Sequence, residues 1–134
     1  MLEVYTYLAP SAIQGIGLFA VNKISKGEIV WRYNPMTTIA WSEEEWGNIR
    51  SSLPKIAFKN IERFAYLSCD KWLLNLDDSR FMNHSGNPSL GYDKDIDACY
   101  ALRDIEPGEE LTVVYSEFCD KSDDNTCKNC RLCS

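Results

Sequence analysis

The 134-residue chain has a single histidine, His84, and no excess of positive charge. One histidine excludes metal centres built on two or more imidazoles, and any Ser/His site must pass through His84. Fourteen Lys and Arg stand against twenty Asp and Glu, a net charge of -6. The basic footprint expected of a nucleic-acid binder is therefore missing. An acidic surface suits capture of a basic peptide, although acidity also serves solubility alone. No apolar stretch approaches the roughly 20 residues that cross a bilayer. The opening MLEVYTYLAP lacks a basic segment followed by an apolar run, so no signal peptide is expected. These absences predict a soluble, non-secreted protein of the cytoplasm, or of the nucleus in a eukaryote.

Four Trp, seven Tyr and five Phe argue against disorder. The length suits one domain with one core. Of six cysteines, Cys69 and Cys99 stand apart, while Cys119, Cys127, Cys130 and Cys133 crowd the last sixteen residues. With no export signal, metal binding by that tail is favoured over a disulfide framework.

Short β-prone runs are expected at Val4 to Leu8, Leu18 to Val21 and Glu28 to Tyr33, the last after a turn at Lys26-Gly27. Ser42 followed by Glu45 is a capping-box pattern that opens a short helix through Trp46. Ala57, Ile61, Phe64, Ala65 and Ser68 recur at spacings of three and four, which predicts a second helix from about Pro54 to Leu67. Lys71 to Leu76 reads as a strand. Asp77 to Asp97, rich in Asp, Asn, Ser, Gly and Pro, reads mostly as loop. Ala98 to Leu102 and Leu111 to Tyr115 are the last expected strands. The segments Ala20 to Glu28 and Ala101 to Glu109 share Ala, Ile, Gly and Glu at equal spacing, a strand-turn-strand device used twice. Many short strands with about two helices make an α+β domain.

Three constellations could carry chemistry. Gly15-Ile16-Gly17 lets backbone approach a ligand closely, or is a plain turn; it lacks the third glycine of a dinucleotide fingerprint. Arg80-Phe-Met-Asn83-His84-Ser85-Gly86-Asn87-Pro88 is more distinctive, though such a loop can also satisfy its own backbone. Tyr115 closes the segment that begins Glu109-Glu110-Leu111-Thr112. Taken alone, it fits a core residue with its hydroxyl at the rim.

In order and spacing, these three segments resemble the SET domain, whose signatures are G-x-G, R-F-x-N-H-S-C-x-P-N and G-E-E-L-T-x-x-Y. The resemblance covers roughly residues 3 to 118 and is similar in compactness to the small stand-alone SET proteins of bacteria and large viruses. It implies a β-clip-like fold of several small sheets with a C-terminal pseudoknot, in which the last segment threads beneath the Asn83-His84 loop. The implied organisation is a SET domain over residues 1–118 and a post-SET-like tail over 119–134. The implied activity is S-adenosylmethionine-dependent methylation of a lysine amine in a protein substrate, such as a histone or another basic protein. Gly15, Ile16 and Gly17 would offer backbone to the cofactor's methionine part, Asn83 would bond its amino-acid end, and His84, largely through backbone, its adenine. Tyr66 is placed near the cofactor or the lysine channel, and Phe118 against the channel or the adenine. Arg80 reads as structural. Tyr115 is the implied catalytic residue, orienting the reacting amine and methyl.

Two departures from the pattern matter. Gly86 replaces the cysteine that usually joins three tail cysteines on zinc, and Cys127-x-x-Cys130-x-x-Cys133 differs from the usual C-x-C-x4-C. Cys119, Cys127, Cys130 and Cys133 are candidate ligands for one zinc ion, which takes four; a tail of free thiols is the alternative. Val113 stands where relatives often carry Phe or Tyr, which leaves the number of transferred methyl groups open. The competing reading is a non-catalytic SET-like module that docks a peptide or partner through its groove and zinc tail.

Overall fold

The computed structural model describes residues 1–117. Phe118, Cys119, Cys127, Cys130 and Cys133 lie outside the described residues, so the expectations placed on them have no structural counterpart here. Strands β1 (Thr6–Pro10) and β2 (Ile16–Ala20) form an antiparallel hairpin in which Thr6 faces Ala20. Its tip is closed by the Ser11 N–H, which donates to the Gly15 carbonyl at 2.8 Å. Gly15 itself sits at φ +50°, where a side chain would be strained. Strand β3 (Ile29–Arg32) follows the Lys26-Gly27 turn.

The next segment forms a small unit of its own. Strand β4 (Thr38–Trp41), helices α1 (Glu43–Ser52) and α2 (Lys55–Glu62), and strands β5 (Tyr66–Ser68) and β6 (Lys71–Asn75) enclose Trp46, Phe58 and Ala65. Trp46 stacks on Trp72 at 4.8 Å and meets Phe58 at 5.1 Å. Ser42 caps α1 as its spacing predicts, accepting from the Glu45 N–H at 3.1 Å. The helix runs past Trp46 to Ser52 and stops because Pro54 holds Leu53 in an extended conformation. Helix α2 is shorter than its periodicity predicts and does not reach Leu67. Its last turn closes through Phe64 N–H to Ile61 O and Ala65 N–H to Glu62 O, and Tyr66 and Leu67 then pair with Leu73 and Trp72. Ala65 keeps its buried place at the turn, so the helical spacing extended over residues whose burial comes from a sheet. Strand β4 was not expected from sequence.

A 3-10 turn (Asp78–Phe81) leads into strand β7 (Asn83–His84), then β8 (Leu90–Asp93) and β9 (Ala98–Ala101). The segment expected to be mostly loop thus contributes two strands. Sheet order is β4-β6-β5 for the small unit and β3-β9-β8 for the main body. Leu18, Val30, Leu90, Ile105 and Leu111, all fully buried, form the main core. Strand β10 is only Thr112–Val113 and runs parallel to β7; Tyr115 falls in a closing 3-10 turn rather than on the expected strand.

The repeated device is a local two-fold. The Gly108 N–H donates to Ala20 O and the Gly27 N–H to Ala101 O, both at 2.8 Å. Ile24 and Ile105 exchange N–H···O bonds at 2.9 and 2.8 Å between the two copies. The turn glycines Gly27 and Gly108 sit at φ +86° and +85°. From this unit, residues 110–113 pass between two partners. On one side the Ser85 N–H donates to Val113 O at 3.0 Å. On the other, Ser89 and Thr112 exchange N–H-to-hydroxyl bonds, both at 3.0 Å. The loop from Asn83 to Ser89 therefore embraces the final segment, which is the knot.

Candidate functional site

The knot brings the three sequence constellations to one side chain. The Asn83 Nδ2 group lies 3.1 Å from Gln14 O, 3.4 Å from Ile16 O and 3.2 Å from a carboxylate oxygen of Glu110. All three neighbours are acceptors, so the amide nitrogen must face them and Oδ1 is left for a ligand. Glu110 reaches this point because β2 bridges to it opposite Phe19. Its carboxylate occupies the space a side chain at residue 17 would need: a Cβ there would stand 1.9 Å from Oε1. Gly17 is thus glycine for Glu110, whereas Gly15 has open space beside it, with no heavy atom within 4 Å of a built Cβ.

A cleft of about 560 Å³ opens beside this junction. Gln14, Gly15 and Ile16 form one wall, with Asn83 and Tyr115 next to them, and Arg63, Phe64 and Arg80 line it from the small helical unit and the 3-10 turn. A narrower cavity of about 80 Å³ adjoins it, bordered by Trp31, Tyr66, Val113 and Tyr115. Arg63, Phe64, Arg80, Met82 and Tyr115 border both spaces. The Tyr115 hydroxyl donates to Met82 O at 2.9 Å, which leaves its oxygen free to accept. Burial is the main cause that pushes the Tyr115 phenol above its ordinary value, so it stays protonated at neutral pH. The Tyr115 N–H donates to His84 Nδ1 at 3.2 Å, and the two rings lie 5.3 Å apart.

Of the candidate residues, Gly15, Ile16, Asn83 and Tyr115 share the large cleft, and Tyr66 borders the narrow cavity. His84 meets Tyr115 through its ring, and Gly17 meets Glu110. Burial, chiefly, also raises the Tyr66 phenol, with Asp97 adding to it. Gln14, Arg63, Phe64 and Glu110 were not singled out by sequence. Glu110 lay in plain sight within Gly108-Glu-Glu-Leu; the others gave no local signal. Among the described residues no group of three or more His, Cys, Asp or Glu could hold a metal ion; the four candidate zinc ligands lie outside them.

A small-sheet α+β fold knotted at its C-terminal end, with glycine turn, Asn-His strand and terminal tyrosine brought together, defines the class. The SET domain family matches residues 15–116, and the chain belongs to that family. Among solved structures, a Plasmodium falciparum protein provisionally named a histone methyltransferase is 22% identical, with TM-score 0.55 over 83% of this chain and 92% of that one. Chaetomium thermophilum Polycomb repressive complex 2, autoinhibited and bound to S-adenosylmethionine, is 21% identical with TM-score 0.64 over 87% of this chain. A humanized mutant of that complex bound to an inhibitor is 22% identical with TM-score 0.61. This chain spans only 16% and 15% of those two chains, and the likeness to all three is one of fold. No curated protein matches the chain.

Proposed function

We propose that this chain is an S-adenosylmethionine-dependent protein-lysine N-methyltransferase, with residues 1–118 as its SET domain and 119–134 as a tail. The observation that carries the reading is the Asn83 junction: three family motifs meet at one amide whose Oδ1 is left to a ligand beside a cleft of suitable volume. The residues present fit the cofactor, since Gly15 leaves room beside open backbone and Asn83 Oδ1 can accept from an ammonium. When bound, the cofactor would supply a sulfonium methyl to a neutral lysine amine, the N–CH3 bond forming as the S–CH3 bond breaks and the sulfur leaving as a neutral thioether.

Tyr115, at the border of the two spaces, holds the reacting groups. Its proton is given to Met82 O, so its oxygen accepts from the amine N–H and orients the nitrogen lone pair. It is no general base, because its raised pKa keeps it neutral. Catalysis then rests on alignment at about 3 Å and on exclusion of water by the apolar walls around Met82 and Val113. Deprotonation of the lysine, whose ordinary pKa is about 10.4, is favoured in such a narrow space because burial disfavours the ammonium.

The test is transfer of labelled methyl from S-adenosylmethionine to histones and cell-extract proteins, with product identified by mass spectrometry. Tyr115→Phe is expected to reduce transfer on the order of a hundredfold with cofactor affinity nearly unchanged. Cofactor binding with no transfer to any protein would instead favour the docking module.

A further inference from the structure

Two polar side chains are buried in the sheet that walls the narrow cavity, where apolar ones would fill the space without a desolvation cost. They are Thr38 on β4 and Asn75 on β6, and Asn75 borders the cavity. The two residues face each other across the β4–β6 pair, and the Thr38 hydroxyl donates to Asn75 Oδ1 at 3.1 Å. Tyr66 stands opposite Leu73 in the β5–β6 pair, two residues along β6 from Asn75. The three side chains therefore share one face of the sheet, with Tyr66 on the diagonal that an aromatic side chain can reach. Burial raises the Tyr66 phenol, and a hydrogen bond with the Asn75 side chain works in the lowering direction. A bond with that effect is donated to the phenol oxygen. With Oδ1 accepting from Thr38 and the amide nitrogen turned to Tyr66, the Asn75 side chain has one orientation. What this buried row provides is a fixed place for one phenol oxygen.

Two phenols, Tyr66 and Tyr115, thus border the narrow cavity. A neutral lysine amine has two N–H groups and one lone pair. When the lone pair is aimed at the methyl to be transferred, each N–H needs an acceptor, and Tyr115 accepts one. A phenol oxygen has two lone pairs, so Tyr66 can accept the other beside its bond from Asn75. We propose that Thr38 and Asn75 are positioning residues that hold the Tyr66 hydroxyl as the second acceptor for the amine and so restrict the chain to the first methyl. This inference rests on the lysine methyltransferase reading above. After one transfer the product is a methylammonium, which gives a proton to solvent before it can react again. Its new methyl must then stand where an N–H stood, at one of the two oxygens. There it donates nothing and needs more room, so the second N–CH3 bond is disfavoured.

The test is mass spectrometry of the methyl-lysine products formed on histones and cell-extract proteins. Calorimetry with peptides of the methylated site, carrying unmodified or monomethylated lysine, accompanies it. The wild-type chain should yield monomethyl-lysine and bind the unmodified peptide about tenfold more tightly, the order of one hydrogen bond. Tyr66→Phe and Thr38→Val should both yield dimethyl-lysine and lose that preference, although Thr38 does not border the cavity. Thr38→Ser keeps the hydroxyl and should behave as wild type. Asn75→Leu gives the same readout should Thr38→Val fail to fold. Dimethyl- or trimethyl-lysine from the wild-type chain overturns the proposal, and so does a product shift confined to Tyr66→Phe. A uniform loss of rate with the product ratio unchanged makes the row merely structural and overturns it too. In each of these cases the methyltransferase reading stands. A wild-type chain that transfers no methyl to any protein overturns both.

Discussion

Replacing Gly17 by alanine should damage the site through Glu110 rather than through the backbone. Gly17 has no left-handed φ, so alanine meets no conformational penalty of its own. The added methyl would lie 1.9 Å from Glu110 Oε1, 2.9 Å from its carboxyl carbon and 3.1 Å from Ser11 Cβ. The carboxylate must move, and the 3.2 Å bond from Asn83 goes with it. The carboxylate is the far end of a flexible side chain and can swing aside, so the cost is mainly the lost charge-assisted bond at a half-buried site. That loss is about 1.5–3 kcal/mol, or roughly 6–12 °C in Tm at about 4 °C per kcal/mol. Thermal and urea unfolding would measure it, with cofactor titration run alongside. The decisive comparison is a double-mutant cycle with Glu110→Ala. In that background the obstacle is gone, and Gly17→Ala should cost no more than about 1 kcal/mol, the residue of contact with Ser11. An equal cost of Gly17→Ala in both backgrounds would refute the clash as the cause.

Asn83→Asp is nearly isosteric yet should destabilise by about 2 kcal/mol and abolish cofactor binding, because a carboxylate would face Gln14 O, Ile16 O and Glu110. The defect should shrink as pH falls and the new acid is protonated, which melting curves between pH 4 and about 8 would show. The Cys99 thiol is pushed up to about 12 from 9.0, chiefly by burial. Its folded-state pKa is raised, so its stability contribution is whole below pH 9 and is lost as pH climbs from 9 toward 12, by up to about 1.4 kcal/mol per unit. Urea melts from pH 8 to about 11 should give a shallower decline for Cys99→Ala than for wild type. Some slope will remain, since burial also raises Tyr66 and Tyr92.

Features set by neighbours in sequence were legible. Ser42 and Glu45 announced the start of α1, and Gly27 and Gly108 announced their turns, because capping and left-handed turns act within four residues. Features set by distant contact were not. Leu90–Asp93 sits among residues typical of loops, yet it pairs with β9 and is buried at Leu90 and Gly91. Phe64 and Ala65 carry a helical spacing, but β6 captures the residues that follow. At the site, Gly15, Asn83 and Tyr115 stood out through their motifs. The carbonyl of Gln14 and the guanidinium of Arg63 carried no such mark, since their part depends on which segments the knot lays side by side.

The two-fold pairing of Ala20 to Glu28 with Ala101 to Glu109 governs the order in which the molecule can be assembled. The two copies lie 81 residues apart in the chain, and each finishes its turn on the other's carbonyls. A nascent chain that has not yet delivered Ile105 and Gly108 leaves the Ile24 backbone and Ala20 O without these partners, and Glu110, which holds Asn83, arrives later still. Closing so long a loop carries its entropic cost before any reward from contact. The ligand cleft is consequently a late product of folding, and competence to bind should emerge together with the final cooperative step rather than with the early hairpin or helices.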